Sequence, residues 1–276
     1  MAQNKVFHCR NFDLPLGQKT YIMGILNTTP DSFSDGGSHT DIERAAARAQ
    51  QMVDEGVDII DIGGESTRPG FTPVSAEDEI RRVVPLVERL SATLKVPLSI
   101  DTTKAEVARK SLQAGAHIIN DIWGLQRAPE LASICGEFDA GVIVMHNQDG
   151  ETYKKDIIES MKEFLKTSVR LAEKGGVAHN AIMLDPGIGF GKDLNGNLET
   201  MRRLAELQSM GLPVLLGPSR KSMIGKVLNL PVNDRLEGTA AAVAVGIVAG
   251  VDVVRVHDTK AMKRVAAMTD AMTRVV

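Results

Sequence analysis

The chain has 276 residues, 43% hydrophobic and 24% charged, with a formal net charge of −3; this is an ordinary globular composition, long enough for one α/β domain of the ~250 residues an eight-fold barrel takes. The weak acidic balance and 4% aromatic content argue against a nucleic-acid partner, which wants a basic face or a stacking platform, and against an anionic membrane surface. Cys9 and Cys135 have neither metal-ligand spacing nor a disulfide framework, and no run nears the ~18 apolar residues of a membrane span or forms the apolar core of a signal peptide, so a cytoplasmic protein is expected.

Residues 5–20 alternate loosely around Leu14-Pro15-Leu16-Gly17, which predicts a small hairpin plugging one end of the domain. A rhythm then begins with a strand at Tyr21–Asn27. Thr40-Asp41-Ile42-Glu43 has the form of a capping box. Ile42, Ala45, Ala46, Ala49, Met52 and Val53 fall on one helical face, and Gly56 ends the helix. Val57–Ile62 is the second strand. Ser75 opens a helix with Ile80, Val83, Val84, Val87 and Leu90 inward. Pro97–Ile100 is the third strand, followed by a helix from Thr103 to Gly115. His117–Asn120 is the fourth, with a helix near Pro129–Glu137. Gly141–His146 is the fifth, with a helix over Lys154–Lys174. Ala181–Leu184 is the sixth, with a helix over Leu198–Met210. Pro213–Gly217 is the seventh, with helical segments from Met223 that break near Asn229–Asn233. Val251–Val256 is the eighth, and a last helix begins near Lys260.

Gly56-Val57-Asp58-Ile59-Ile60, Gly115-Ala116-His117-Ile118-Ile119 and Gly250-Val251-Asp252-Val253-Val254 repeat one plan: a helix-ending glycine, a small turn and a β-branched run. Eight apolar strands separated by helices mean a parallel sheet covered on its outer face. The expected architecture is α/β, a (β/α)8 TIM barrel occupying 1–276 as a single domain, with a hairpin-like N-terminal cap and long loops after strands one and two. A doubly wound open sheet would show Gly-x-Gly-x-x-Gly after its first strand, and none stands there.

Barrel chemistry sits at the C-terminal strand ends. In chain order these ends carry Asn27, Glu65-Ser66-Thr67-Arg68, Asp101, Asn120-Asp121, His146 and Asp185, then Ser219-Arg220-Lys221-Ser222 beyond Gly217, and Arg255-Val256-His257-Asp258. The opposite rim is expected to hold mostly helix-ending glycines and turn residues. Asp101, Asn120 and Asp185 suit a flat ligand rich in N–H groups, with Lys221 donating to its carbonyl or ring nitrogens; singly, each could be a structural ion pair, for example Asp185 with Lys221. Arg68, Arg255 and His257, with Asn27 beside them, suit a phosphate or pyrophosphate, held in part through a hard cation. The stretch Ala181–Lys192 runs four apolar residues into Asp185 and then into Pro186, Gly187, Gly189 and Gly191, a bare loop that a ligand can approach closely. The loops 28–38 and 64–73 carry Phe33 and Phe71 and would close over the mouth. His146 is a weak candidate. Trp123, Tyr21, Tyr153 and Cys135 read as packing residues, no Cys/His cluster suggests zinc, and no Gly-x-Ser-x-Gly elbow suggests a serine nucleophile.

Gly24-Ile25-Leu26-Asn27-Thr28-Thr29-Pro30-Asp31-Ser32-Phe33-Ser34-Asp35-Gly36-Gly37 and Asp61-Ile62-Gly63-Gly64-Glu65-Ser66-Thr67-Arg68-Pro69-Gly70 resemble the two signatures of the dihydropteroate synthases. Ile119-Asn120-Asp121-Ile122, the sixth-strand loop, Ser219-Arg220-Lys221-Ser222 and Arg255-Val256-His257-Asp258 follow in that family's order, so the resemblance covers the chain from about Tyr21 onward. Thr103 stands where an aromatic is common, and Pro218 where a small polar residue is common. The resemblance implies condensation of p-aminobenzoate with 6-hydroxymethyl-7,8-dihydropterin diphosphate, with Mg2+, in a homodimer whose p-aminobenzoate pocket also takes sulfonamides. It implies that Asp101, Asn120, Asp185 and Lys221 hold the pterin, with Ile122, Met145, Phe190, Gly217 and Arg255 around its ring. Asn27 would bind the metal and the diphosphate, and Arg68, Arg255 and His257 the phosphate oxygens. Phe33, Thr67, Pro69, Lys221 and Ser222 would line the p-aminobenzoate pocket, with Asp35 organising the closed site. Asp101, Asp185, Lys221 and Asp35 are the expected catalytic set. A pterin-binding methyl-transfer domain would share the barrel, but has no use for a diphosphate clamp.

Overall fold

The computed structural model describes residues 5–28, 39–65 and 74–274. An antiparallel hairpin, β1 (Val6–Cys9) and β2 (Phe12–Pro15), precedes eight parallel strands. These are β3 (Tyr21–Asn27), β4 (Ile59–Gly63), β5 (Leu98–Asp101), β6 (Ile118–Asp121), β7 (Gly141–Met145), β8 (Ile182–Asp185), β9 (Leu215–Leu216) and β10 (Val253–Val256). They are ordered β8-β7-β6-β5-β4-β3-β10-β9. A parallel bridge between Leu184 and Val214 joins the two edges, with the Leu184 amide donating to the Pro213 carbonyl at 2.8 Å. Around this ring lie α1 (His39–Asp54), α2 (Ala76–Ser91), α3 (Ala105–Gln113), α4 (Glu130–Glu137), α5 (Ile157–Lys174), α6 (Leu194–Arg202), α7 (Ser222–Leu228), α8 (Leu236–Val248) and α9 (Thr259–Thr273). The expected (β/α)8 barrel and its hairpin are therefore present.

Local details depart from expectation for identifiable reasons. Helix α1 already includes His39, so Thr40 lies in its first turn instead of capping it. Helix α6 starts earlier than the apolar pattern suggests, because the Asp193 carboxylate accepts from the Gly196 amide and caps it. It ends at Arg202, and a 3-10 turn, Leu204–Met210, replaces the second half of the expected helix. The inner face of α2 buries Leu86 and Glu79 in place of Val84. Glu79 can be there because Lys104 Nζ reaches its Oε2 at 2.6 Å.

Alternation along the strands divides the core in two. Ile22, Leu26, Ile60, Ile62, Ile100, Val142, Leu184, Leu216 and Val254 face outward into the layer shared with the helices. The residues between them face the barrel interior. At its N-terminal end Tyr21, Met23, Ile59, Ile118, Ile143, Met183, Leu215 and Val253 pack with Phe7, Cys9, Leu14 and Leu16 of the hairpin segment. That end of the tube is filled with apolar side chains, which leaves polar inward positions only toward the other end.

The N-terminal rim is more polar than the expected array of glycines and turn residues. Asp58 Oδ2 accepts from the Ile22 amide at 2.9 Å, His117 Nδ1 from the Leu98 amide at 3.1 Å, and Asp252 Oδ2 from the Val214 amide at 3.0 Å. These three residues hold the same place in the repeated Gly-x-(Asp/His)-(Ile/Val)-(Ile/Val) segments, whose glycines have φ of 94°, 110° and 92°. Each therefore satisfies a strand-start N–H that would otherwise be left without a partner in a buried setting.

Burial pushes the His117 imidazole down to about 4 from its ordinary 6.5, with the Arg10 charge adding to the effect. The unfolded chain takes up a proton below 6.5 that the fold refuses, so this site costs stability progressively as pH falls from 6.5 toward 4. His117→Asn keeps an acceptor for the Leu98 amide and removes the titration. The drop in urea midpoint between pH 7 and pH 5 should be smaller in this variant than in the parent. An equal drop would show that His117 is not a source of the acid sensitivity.

Candidate active site

Inward parity selects the groups at the C-terminal mouth. Beyond the apolar layer, the next inward positions are Asp61 on β4, Ser99 and Asp101 on β5, Asn120 on β6, Met145 on β7, Asp185 on β8 and Arg255 on β10. Strand register aligns Asn27 with Gly63, Gly63 with Asp101, Asp101 with Asn120, and Met145 with Asp185. Carboxylates and an amide separated by tens of residues thus form one layer across the tube.

Arg255 organises that layer. Its Nε donates to Asp61 Oδ2 at 2.6 Å and its Nη2 to Asp101 Oδ2 at 2.7 Å. Burial opposes the guanidinium charge, but Asp61 and Asp101 outweigh it and hold Arg255 firmly protonated. Burial pushes the Asp101 carboxyl up to about 7 against the pull of Arg255, with Asp61 and Glu79 adding to the rise. Asp61 is fully buried, and its Oδ1 has no hydrogen-bond partner among the described residues. Arg255 therefore ties β10 to the carboxylates of β4 and β5 within this layer.

Asp185 Oδ1 accepts from the Gly187 amide at 2.7 Å, and burial raises its pKa. A side chain at position 187 would collide with the His146 carbonyl, which is why this tight approach needs glycine. Lys221 reaches over the Phe190 ring, 4.1 Å from its centroid. Burial and the Arg255 charge lower its pKa to about 8. Its turn is strained: Arg220 sits at φ 56°, a left-handed conformation that surrounding bonds must enforce. Arg220 Nε and Nη2 pair with Asp258 Oδ2 and Oδ1 at 3.0 and 2.6 Å. Arg235 Nη1 donates to the Arg220 and Lys221 carbonyls at 3.0 and 3.2 Å. His257 is tied to the same turn. Its backbone amide donates to Ser219 Oγ at 3.2 Å, and its Nδ1 is hydrogen-bonded to the same hydroxyl at 2.9 Å.

Asn27 Oδ1 lies beside Gly63 at the end of β3. Among the described residues no group of three His, Cys, Asp or Glu converges to enclose an ion. A hard amide oxygen at the lip still fits Mg2+, which binds through one or two protein oxygens and completes its shell with water and substrate phosphates.

Asn27, Asp101, Asn120, Ile122, Met145, Asp185, Phe190, Gly217, Lys221, Ser222, Arg255 and His257 all stand on strand ends or following segments at this one mouth. Phe33, Asp35, Thr67, Arg68, Pro69 and Phe71 lie outside the described residues. His146 does not face the mouth as an exposed group. It is buried, and its Nδ1 is 3.0 Å from Lys192 Nζ. Sequence reasoning missed Asp61, Lys192 and the Arg220–Asp258 tie. An aspartate two positions after Ile59 in an otherwise apolar strand was the available signal for Asp61.

A buried layer of hydrogen-bond acceptors with cations among them lies at the C-terminal mouth of a (β/α)8 tube, where barrel enzymes carry their chemistry, and its donors and acceptors suit a flat, N–H-rich heterocycle. The family described as pterin binding enzyme matches residues 23–257. The dihydropteroate synthase of Clostridium beijerinckii is 49% identical over 260 residues, covering 94% of this chain and 96% of the relative. The dihydropteroate synthase of Clostridium difficile, solved in the presence of pteroic acid, superposes with a TM-score of 0.92 at 53% identity, over 94% of this chain and 99% of that one. The Yersinia pestis enzyme, solved as a sulfonamide drug complex, gives 0.89 at 40% identity, over 97% and 98%. The chain belongs to the pterin-binding enzymes and, among them, to the dihydropteroate synthases, which are transferases.

Replacing Arg255 by Met strands the buried Asp61 carboxylate without its counter-ion. Breaking a buried pair in this way should cost about 3–5 kcal/mol, read as a lowered urea midpoint. A midpoint equal to that of the parent would show that the pair does not hold the barrel mouth together.

Proposed function

We propose that this chain joins p-aminobenzoate to 6-hydroxymethyl-7,8-dihydropterin diphosphate, releasing pyrophosphate and forming 7,8-dihydropteroate for folate biosynthesis. The observation that carries this reading is the buried layer of Asp101, Asn120 and Asp185 at the mouth that also holds Lys221. The amino-pyrimidinone edge of a pterin offers N–H donors to two carboxylates and an amide, and its carbonyl and ring nitrogens accept from Lys221. Ile122, Met145, Phe190 and Gly217 bound the ring, with Arg255 against its other face. The diphosphate lies toward the lip, taken by Asn27, Arg68, Arg255 and His257. Asn27 supplies the protein oxygen for Mg2+, which when bound neutralises charge on the departing diphosphate.

The chemistry is a substitution at the methylene carbon. The C–O bond to diphosphate breaks first, and the resulting cation spreads into the dihydropterin ring. Asp101 and Asp185 stabilise that developing charge in a site where fixed charges act strongly. The neutral aniline nitrogen then forms the C–N bond and loses its proton, so no strong base is needed. Phe33, Thr67, Pro69, Lys221 and Ser222 hold p-aminobenzoate, Asp35 organises the closed site, and sulfonamides compete in that pocket, as the drug complex of the Yersinia relative supports.

The chain acts as one domain, 1–276, in the cytoplasm, where the buried free thiols of Cys9 and Cys135 stay reduced. Among the described residues no helix is long and apolar enough to cross a membrane. A second copy of the chain covers the outer face of α8 and α9, where Val245, Val248, Met268 and Met272 are 50 to 67% exposed.

Pyrophosphate release should require both p-aminobenzoate and Mg2+. Release at the same rate without p-aminobenzoate would defeat the proposed reaction. Asp185→Asn should lower kcat by about 10²–10³-fold with the melting temperature little changed; undiminished turnover would remove Asp185 from the charge-stabilising role. Val248→Glu should shift sedimentation from dimer to monomer, and a parent protein that sediments as a monomer would rule the pairing out.

A further inference from the structure

Lys192 ends the glycine-rich stretch after β8, and its ammonium points back into the fold behind Asp185. The residue is only 4% exposed. Its Nζ donates to the carbonyls of Gly187 and Phe190, both at 3.0 Å, and lies 3.0 Å from His146 Nδ1. Three acceptors match the three N–H bonds of an ammonium. His146 is itself buried, with its ring against Tyr153 and Phe164. Burial and the Lys192 charge push its imidazole down to about 3, so it stays neutral and Nδ1 offers a lone pair.

All three hydrogen-bond partners of this buried cation are uncharged. Burial pushes the Lys192 ammonium down to about 7, and the field of Asp185 works against that fall. Gly187 is gripped from both sides: its amide donates to Asp185 Oδ1 at 2.7 Å and its carbonyl accepts from Lys192. Phe190, the second carbonyl partner, places its ring beneath Lys221. The rest of the loop is tied equally firmly. The Gly189 amide donates to Asn197 Oδ1 at 2.6 Å, and Tyr153 and Gln148 donate to the Gly191 carbonyl at 2.9 and 3.2 Å. A loop with this many neutral ties has no evident structural need for a buried charge, which costs several kcal/mol to desolvate.

We propose that Lys192, anchored by His146, is a positioning residue for pterin recognition: it holds the Gly187 and Phe190 carbonyls from behind and so fixes the turn that presents Asp185 and the Phe190 ring. The inference rests on the reading of the mouth as a pterin diphosphate site. It also sets a lysine on each side of the loop with a different task, Lys221 from the segment after β9 in front toward the ligand and Lys192 behind.

The test is steady-state pyrophosphate release by the full-length enzyme, varying each substrate in turn. Lys192→Met should raise KM for the pterin diphosphate about tenfold while KM for p-aminobenzoate stays within about twofold. His146→Leu removes only the anchor and should raise the pterin KM about threefold with the same split; it carries the test if Lys192→Met fails to fold. Equal rises in both KM values with a lowered melting temperature would reduce Lys192 to a structural tie, and unchanged KM values would overturn the proposal outright. A parent enzyme that releases no pyrophosphate would sink the functional reading and this inference together. A turning-over parent whose variants show no split would sink the inference alone.

Discussion

One guanidinium between two buried carboxylates sets the conditions for everything at the barrel mouth. Arg255 bridges Asp61 and Asp101 across the interior, joining β10 to β4 and β5. Without a cation there, three inward aspartates would share one buried layer with no guanidinium between them. With it, Asp101 has a direct ion-pair partner, and the Arg255 charge opposes the rise that burial imposes on both Asp101 and Asp185. The same arrangement leaves the Arg255 charge already engaged with two carboxylates before any ligand arrives. Asp61, silent in the expected chemistry, is what keeps Arg255 in place.

The barrel gives that layer its depth. Its N-terminal half is packed with the hairpin's Phe7, Cys9, Leu14 and Leu16 against inward strand residues. The plug is apolar, so the charged layer rests on a low-dielectric floor that strengthens each of its interactions. The two ends of the strands therefore use polar side chains for opposite purposes. At the N-terminal rim Asp58, His117 and Asp252 complete the hydrogen bonding of neighbouring strand starts. At the C-terminal mouth Asp101, Asn120 and Asp185 carry acceptors suited to a ligand.

The loops above the mouth are held by the same economy of ties. The strained Arg220 turn is fastened by Asp258 from one side and Arg235 from the other, and His257 is bound to it through Ser219. The loop after β4 is linked to the one after β5 through Lys104, which pairs with Glu65 and Glu79. Lys221 thus projects from a rigid base, which is what precise ligand placement demands.

Much of this was legible in the linear chain. Apolar runs of four to seven residues, each closed by a polar group and followed by a helical pattern, identify eight strand–helix units because a buried parallel strand must be apolar on both faces. Asn27, Asp101, Asn120 and Asp185 were readable as rim residues because they end such runs. Helix boundaries were less legible where a side-chain cap, as at Asp193, starts a helix before its apolar pattern does. The repeated Asp58, His117 and Asp252 segments were visible as an echo, but their purpose was not, since each acceptor serves an amide 19 to 38 residues away. Only the folded chain decided that Arg255 turns inward to two aspartates 154 and 194 positions distant, and that Lys192 points behind its loop while Lys221 lies across it. Local pattern determines which residues lie on a buried face; which of those residues meet depends on closure of the tube, a property of no local segment.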